Sequence, residues 1–331
     1  MGVFKTISLV GISALSLTLV ACQKTESEPK ASSETKTENP VKSISMGFQK
    51  SALNLLVVRD QKLLEQQFPG AKVEWKEFPA GPQMLEALAV GAVDFGYVGN
   101  MPPIFAQAAN KDLNYVGYET YPNESLAVVV KNDSPIANIE ALKGKRIAVQ
   151  KGSSAHELLA KVLQKANLTW TDIEPIWLPP ADARAAFDKG SVDAWVVWDP
   201  YLAAAELQGH AKPLIDGRAF PKTYSFYIGN PAFIKAHPDA PEKVLKSLNE
   251  ADQWIVKNID LATEIYAKNT GLKKEVAQKS IDRRLKPSPV NTITPEVAQS
   301  QQNIADLFQN LKLIPNSIQI KDAIWTPNSA Q

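Results

Sequence analysis

A chain of 331 residues with 44% apolar and 21% charged side chains has room for two ordinary domains and the composition of a globular protein. Its 36 basic and 35 acidic residues leave a formal charge of +1, which excludes the broad basic surface that nucleic-acid binding needs. One cysteine excludes an internal disulfide framework, so stability must come from packing.

The first segment stands apart from any fold. Lys5 precedes an uncharged apolar run over 7–21, the length of a signal h-region and short of the roughly 20 residues that span a bilayer. Ala21-Cys22 closes that run and resembles the lipobox of bacterial lipoproteins, whose cysteine is acylated. Residues 1–21 therefore read as a lipoprotein signal peptide, with Cys22 the lipid attachment point. Residues 22–42 are rich in Lys, Glu, Ser and Thr and read as a flexible tether, since they cannot bury a core. The expected location is exported: the periplasm or cell envelope, held to a membrane through the lipid alone. Without Lys5, basic and acidic side chains balance.

From residue 43 the pattern alternates strand and helix. A strand over 43–49 feeds a helix through Leu53, Leu56 and Leu64; a strand follows near 73–75 and a helix over 82–90. Pro102-Pro103 opens another helix. Strands are expected at 113–118 and 126–130, the second a continuous buried run. Asn132-Asp133-Ser134-Pro135 is a turn signal, read as the first crossing between lobes. The second lobe would hold strands at 146–149 and 173–178 and helices at 154–165 and 181–189. The β-prone stretch 224–228 is read as the return crossing, followed by helices at 242–257, 261–269, 273–285 and 295–311. The expected division is lobe I over 43–130 and 226–331, and lobe II over 131–225.

One phrase recurs. Gly91-Ala92-Val93-Asp94 leads into an apolar strand ending at Gly99-Asn100, and Gly190-Ser191-Val192-Asp193 leads into another ending at Trp198-Asp199. Gln49-Lys50-Ser51 and Gln150-Lys151-Gly152 match at nearly the same offset. Two α/β lobes of one plan would place Asn100 opposite Asp199 across a crevice beyond the carboxyl ends of the strands, where open α/β sheets hold ligands. Asp94 and Asp193 read as scaffold.

The candidate chemistry lies at those strand ends. Gly152-Ser153-Ser154 opens a helix whose free N–H groups and positive end suit an anion; Ser154 either caps that helix or serves the site. Gly99-Asn100-Met101 begins another helix, the glycine permitting close approach. Trp198 offers an indole face beside Asp199, which contacts a ligand amine or hydroxyl, caps the helix after Pro200, or does both. Arg283-Arg284 could supply a forked contact to an oxyanion or a solvated helix end. His156, one turn into its helix, either reaches the cleft or packs. No Gly-x-Ser-x-Gly elbow, His-Glu-x-x-His pair or Walker loop is present, so a catalytic role and a cofactor are not expected.

These segments together resemble the solute-binding proteins of ABC importers, in the aliphatic sulfonate branch of the nitrate/taurine/sulfonate group. The resemblance rests on Gly47-Phe48-Gln49-Lys50, Phe78-Pro79-Ala80-Gly81-Pro82, Lys151-Gly152-Ser153-Ser154-Ala155-His156, Leu178-Pro179-Pro180-Ala181-Asp182-Ala183-Arg184 and Trp198-Asp199-Pro200, and covers nearly everything after Lys42. It implies a type II periplasmic-binding fold: two α/β lobes joined by two crossing strands, closing on an oxyanion and delivering it to an ABC permease and its ATPase. It implies site roles for Gln49, the Gly99-Asn100-Met101 turn, Ser153-Ser154, Trp198-Asp199 and Arg283. The expected ligand is an alkanesulfonate, with taurine, nitrate, an aromatic sulfonate or a sulfate ester as alternatives. A monomer suits a protein that opens and docks. A pyrimidine-synthase-like enzyme on the same fold is the competing class.

Overall fold

The structure, a computed structural model, describes residues 40–327. The signal peptide, Cys22 and nearly all of the expected tether lie outside the described residues. No helix among the described residues is long and apolar enough to cross a membrane.

The chain first lays down β1 (Ser43–Phe48), α1 (Leu53–Asp60), α2 (Leu63–Gln67), β2 (Lys72–Glu77), α3 (Gly81–Ala89), β3 (Phe95–Val98), α4 (Met101–Ala108) and β4 (Asn114–Thr120). After Thr120 it crosses over and builds β5 (Leu126–Lys131), β6 (Arg146–Val149), α5 (Ser154–Lys165), β7 (Glu174–Trp177), α6 (Pro180–Asp188), β8 (Ala194–Trp198), α7 (Tyr201–Gln208) and β9 (Ala211–Asp216). It then returns through β10 (Tyr224–Gly229) and ends with α8 (Pro231–Ala236), α9 (Ala240–Lys257), α10 (Ile259–Thr270), α11 (Lys274–Arg283) and α12 (Pro295–Asn310).

Two five-stranded sheets result, ordered β2-β1-β3-β10-β4 and β7-β6-β8-β5-β9. Their plans are identical: β1 and β6 pair in parallel with both neighbours, and β10 and β5 run antiparallel beside the repeat strands β3 and β8. In each sheet, the antiparallel strand is the one the chain builds on arriving from the other lobe.

This corrects the expected boundary. The stretch 126–130 is expected in the first lobe, yet β5 pairs with β8 and β9 in the second sheet. The crossing runs through Tyr121 to Ser125, where Pro122 leads into a short 3-10 turn at Asn123–Ser125. Tyr224–Gly229 likewise is no connector but an interior strand of the first sheet. A buried apolar run carries no mark of which sheet receives it. One strand, β9, escaped the sequence reading because Pro213 breaks its pattern; it is an edge strand with an irregular register against Val128 and Val129, where proline is tolerated.

The repeated phrase sets the start of each central strand. Gly91 and Gly190 adopt φ of +71° and +72°, a conformation that costs glycine nothing. Asp94 then accepts from the N–H and hydroxyl of Ser45 at 2.7 Å each, and Asp193 accepts from the N–H of Arg146 at 2.8 Å. The scaffold reading of both aspartates holds.

Packing is layered. One face of the first sheet meets α1, α9 and α10 through Leu56, Leu248 and Ala262, and the other meets α3, α4 and α12 through Met84, Ile104 and Phe308. In the second lobe α5 covers one face, while α6 and α7 cover the other. Burying a Leu, Ile or Phe side chain stabilises by about 1.5–3 kcal/mol, and with β1, β3, β5, β8 and β10 almost wholly buried these layers hold the strand ends in place.

Candidate functional site

Beyond the carboxyl ends of β1, β3, β6 and β8 lies a cavity of about 360 Å³ between the lobes. Gln49, Gly99, Ser153, Ser154 and Trp198 line it, joined by Ser51, Gly81, Tyr97 and Tyr121. None of its lining residues carries a formal charge. It is bordered instead by helix N-termini: Gly81 starts α3, Gly99 precedes α4, and Ser154 starts α5. Each such end carries about half a unit of positive charge; α5 adds free backbone N–H groups, whereas Pro82 in the first turn of α3 and Pro102 and Pro103 in that of α4 have none to offer. Ser153 occupies the N-cap of α5 but spends its hydroxyl on the carbonyl of Gln150 at 2.7 Å, leaving the helix uncapped by a side chain. The amide of Gln49 donates to the carbonyl of Tyr97 at 3.0 Å and retains a second hydrogen. The arrangement suits a small oxyanion with an apolar portion against Trp198.

A second cavity of about 470 Å³ shares Ser51, Tyr97 and Tyr121 with the first and so continues it. Its character differs, since Glu119, Asp199 and Arg284 line it. Burial pushes Asp199 up to about 6 although Arg283 opposes the shift. Burial also raises Glu119 against the pull of Arg284.

Three expected site residues are placed differently. Asn100 lines neither cavity and is 1% exposed. Its amide NH2 donates to Glu157 and to Thr223, its side-chain oxygen accepts from the Ser154 hydroxyl at 2.7 Å, and its carbonyl accepts from Gln301 at 2.6 Å. Asn100 therefore joins the first lobe to α5 of the second: Gly99 and Pro102 on either side of it line the cavity, while its own side chain turns to Glu157, Ser154 and Thr223. Met101 points into the core with Ile104 and Phe308. Arg283 lines neither cavity; it donates to Asp199 at 3.1 and 3.2 Å and to Glu206 on α7. Asp199 also caps its helix by accepting from the N–H of Ala203 at 2.9 Å. Of the two arginines it is Arg284 that reaches a cavity, held by Asn54 at 2.8 Å and Asp252 at 2.9 Å. Tyr121 and Ser225 were missed; they flank the crossings, where no motif marks a contact. The described residues contain no cluster of acidic, His or Cys side chains able to hold a metal.

Two lobes of one plan, joined by two crossings and meeting over an uncharged cavity at helix N-termini, define a two-lobed solute-binding protein of the periplasmic type. Residues 69–262 match the model of the NMT1/THI5-like family. The chain belongs to that family. It is 40% identical over 294 residues to an aliphatic sulfonates-binding protein of Escherichia coli strain K12, covering 89% of this chain and 92% of that protein. Among solved structures, the alkanesulfonate-binding protein SsuA from Xanthomonas axonopodis pv. citri, bound to MOPS, matches with a TM-score of 0.84 and 39% identity over 87% of this chain and 99% of that one. The desulfurization enzyme DszB shares the fold at a TM-score of 0.62 and 16% identity, over 86% of this chain and 96% of that one.

Proposed function

We propose that the protein is the substrate-binding component of an ABC importer that captures an aliphatic sulfonate between its lobes and delivers it to the permease. The observation that carries this reading is the first cavity: uncharged lining, several helix N-termini, and one broad aromatic face. A sulfonate is a permanent monoanion with three acceptor oxygens and no proton to donate, which fits N–H donors without a counter-ion. Ser153 and Ser154 would present the start of α5, Gln49 would add an amide hydrogen, and Trp198 would cover the alkyl part. Gly99 would allow the lobes to close above it. Each charge-assisted hydrogen bond contributes about 1.5–3 kcal/mol. Cys22 would carry the lipid that keeps a monomeric body near its permease.

A second reading concerns the far end of the ligand. Asp199 and Glu119 in the adjoining cavity, although paired with Arg283 and Arg284, supply carboxylate acceptors for a sulfonate with a cationic tail, such as taurine. Calorimetric titration with methane-, ethane- and hexanesulfonate, taurine, nitrate and sulfate tests both. Binding of the alkanesulfonates supports the first reading, and tighter binding of taurine than ethanesulfonate supports the second. No heat from any sulfonate refutes both. Palmitate labelling that is lost in Cys22→Ala tests the anchor.

A further inference from the structure

His156 lines neither cavity. Its ring is 1% exposed and stands edge-on to Trp170 and Trp177 of the second lobe, with ring centroids 5.0 Å away in both cases. Phe308 on α12 lies 5.4 Å away and Phe105 on α4 lies 5.9 Å away. The imidazole is thus the centre of an aromatic seam to which both lobes contribute.

Filling an apolar seam needs no nitrogen, and phenylalanine would do it without burying polar atoms. The nitrogens here have a distinct use. Nδ1 accepts a hydrogen bond from the backbone N–H of Gly152 at 3.2 Å. A neutral ring that accepts at Nδ1 must carry its proton on Nε2. Nε2 is buried without a hydrogen-bond partner. Burial, assisted by Lys151, pushes the imidazole down to about 4 and so keeps it neutral at neutral pH.

Gly152 directly precedes the two serines that line the first cavity. The turn from Gln150 to Ser153 is held by the Ser153 hydroxyl on the Gln150 carbonyl and by the Gly152 N–H on His156. The second bond ties the turn to the helix it opens.

We propose that His156 is a positioning residue for anion capture: its Nδ1 fixes Gly152, and through it the Ser153-Ser154 start of α5, in the shape presented to the ligand. This rests on the sulfonate-binding reading of that cavity. His156→Phe keeps the ring and deletes the acceptor, while His156→Asn keeps an acceptor near Nδ1 and deletes the ring. Ethanesulfonate titration and thermal unfolding of the ligand-free protein then separate the roles. The phenylalanine variant is expected to lose about tenfold in affinity, about 1.4 kcal/mol, with nearly unchanged unfolding temperature. The asparagine variant should unfold earlier yet bind more tightly than the phenylalanine variant. Wild-type affinity in His156→Phe, or losses that track unfolding temperature in both variants, would overturn the proposal. The wild-type protein supplies an independent test should either variant fail to fold. Long-range 1H–15N spectra of the imidazole must show a bare Nδ1 and a protonated Nε2, and the reverse tautomer would refute the assignment. If wild type binds no sulfonate, the functional reading fails, whereas the tautomer and the Gly152 amide shift still report on the positioning bond.

Discussion

Replacing Gly99 with alanine separates closure of the cleft from the folding of either lobe. A Cβ at position 99 would sit 2.1 Å from the Ser154 hydroxyl oxygen and 3.4 Å from its Cβ, and would meet no other residue beyond its chain neighbours within 4 Å. Gly99 belongs to the first lobe and Ser154 to the second, so the new methyl meets nothing until the lobes come together. Accommodating it means rotating the Ser154 hydroxyl away from Asn100, which it now contacts at 2.7 Å. The lost bond costs about 0.5–1.5 kcal/mol net, and an Asn100 oxygen left buried without a donor costs about 1–3 kcal/mol. Together these, about 1.5–4.5 kcal/mol, weaken ligand-driven closure by about tenfold to more than about a thousandfold. Calorimetric titration of Gly99→Ala with the tightest-binding sulfonate should show that loss, while the unfolding temperature of the ligand-free protein stays close to wild type. Ser154→Ala removes the clashing atom, so adding Gly99→Ala in that background should cost little further. A double-mutant cycle reads this coupling directly. Wild-type affinity in Gly99→Ala, or strictly additive losses in the double variant, would show that closure does not bring Gly99 against Ser154.

Other substitutions probe the charges around the second cavity. Burial raises Asp199 from 3.8 to about 6, so the folded protein holds that proton more tightly than the unfolded chain. This contribution favours the fold below the ordinary carboxylate range and is lost as pH rises through 6. At 1.36 kcal/mol per unit it amounts to about 3 kcal/mol. Stability of wild type relative to Asp199→Asn should therefore improve between pH 7.5 and 4.5, and a flat difference would refute the shift; the opposing titration of His156 cancels in the comparison. Arg283→Ala leaves Asp199 and Glu206 without their shared partner and should cost about 3–5 kcal/mol in urea unfolding. Sulfate brings a second charge into an uncharged lining, so calorimetry should find it at least about tenfold weaker than a sulfonate.

The sequence made the strand ends legible because two periodicities coincide there. Apolar strands of period two give way to helices of period 3.6, and the glycines at 91 and 190 mark the turns between. That was enough to locate Gln49, Ser153, Ser154 and Trp198. It could not show which way a polar side chain faces once two lobes meet: Asn100 reads equally well as a cleft donor or as a bond between lobes, and only the position of Glu157 decides. Adjacent arginines pose the same problem, since Arg283 and Arg284 differ in role by where their short segment leaves the helix. The placement of β5 was hidden for another reason. Its partners β8 and β9 lie more than sixty residues downstream, and its apolar run would satisfy either sheet.

That arginine pair bears on how the lobes can part. Arg283 grips Asp199 and Glu206 in the second lobe, while its neighbour grips Asn54, Glu119 and Asp252 in the first. Any opening that spares both grips must swing about this one peptide link, beside the crossing residues Tyr121, Pro122 and Ser125. Like the pin of a pair of pliers, it scarcely moves while the jaws travel. Surroundings near the pin keep their shape through the stroke, and those at the tips, where Gly99 meets Ser154, are made and unmade with every cargo.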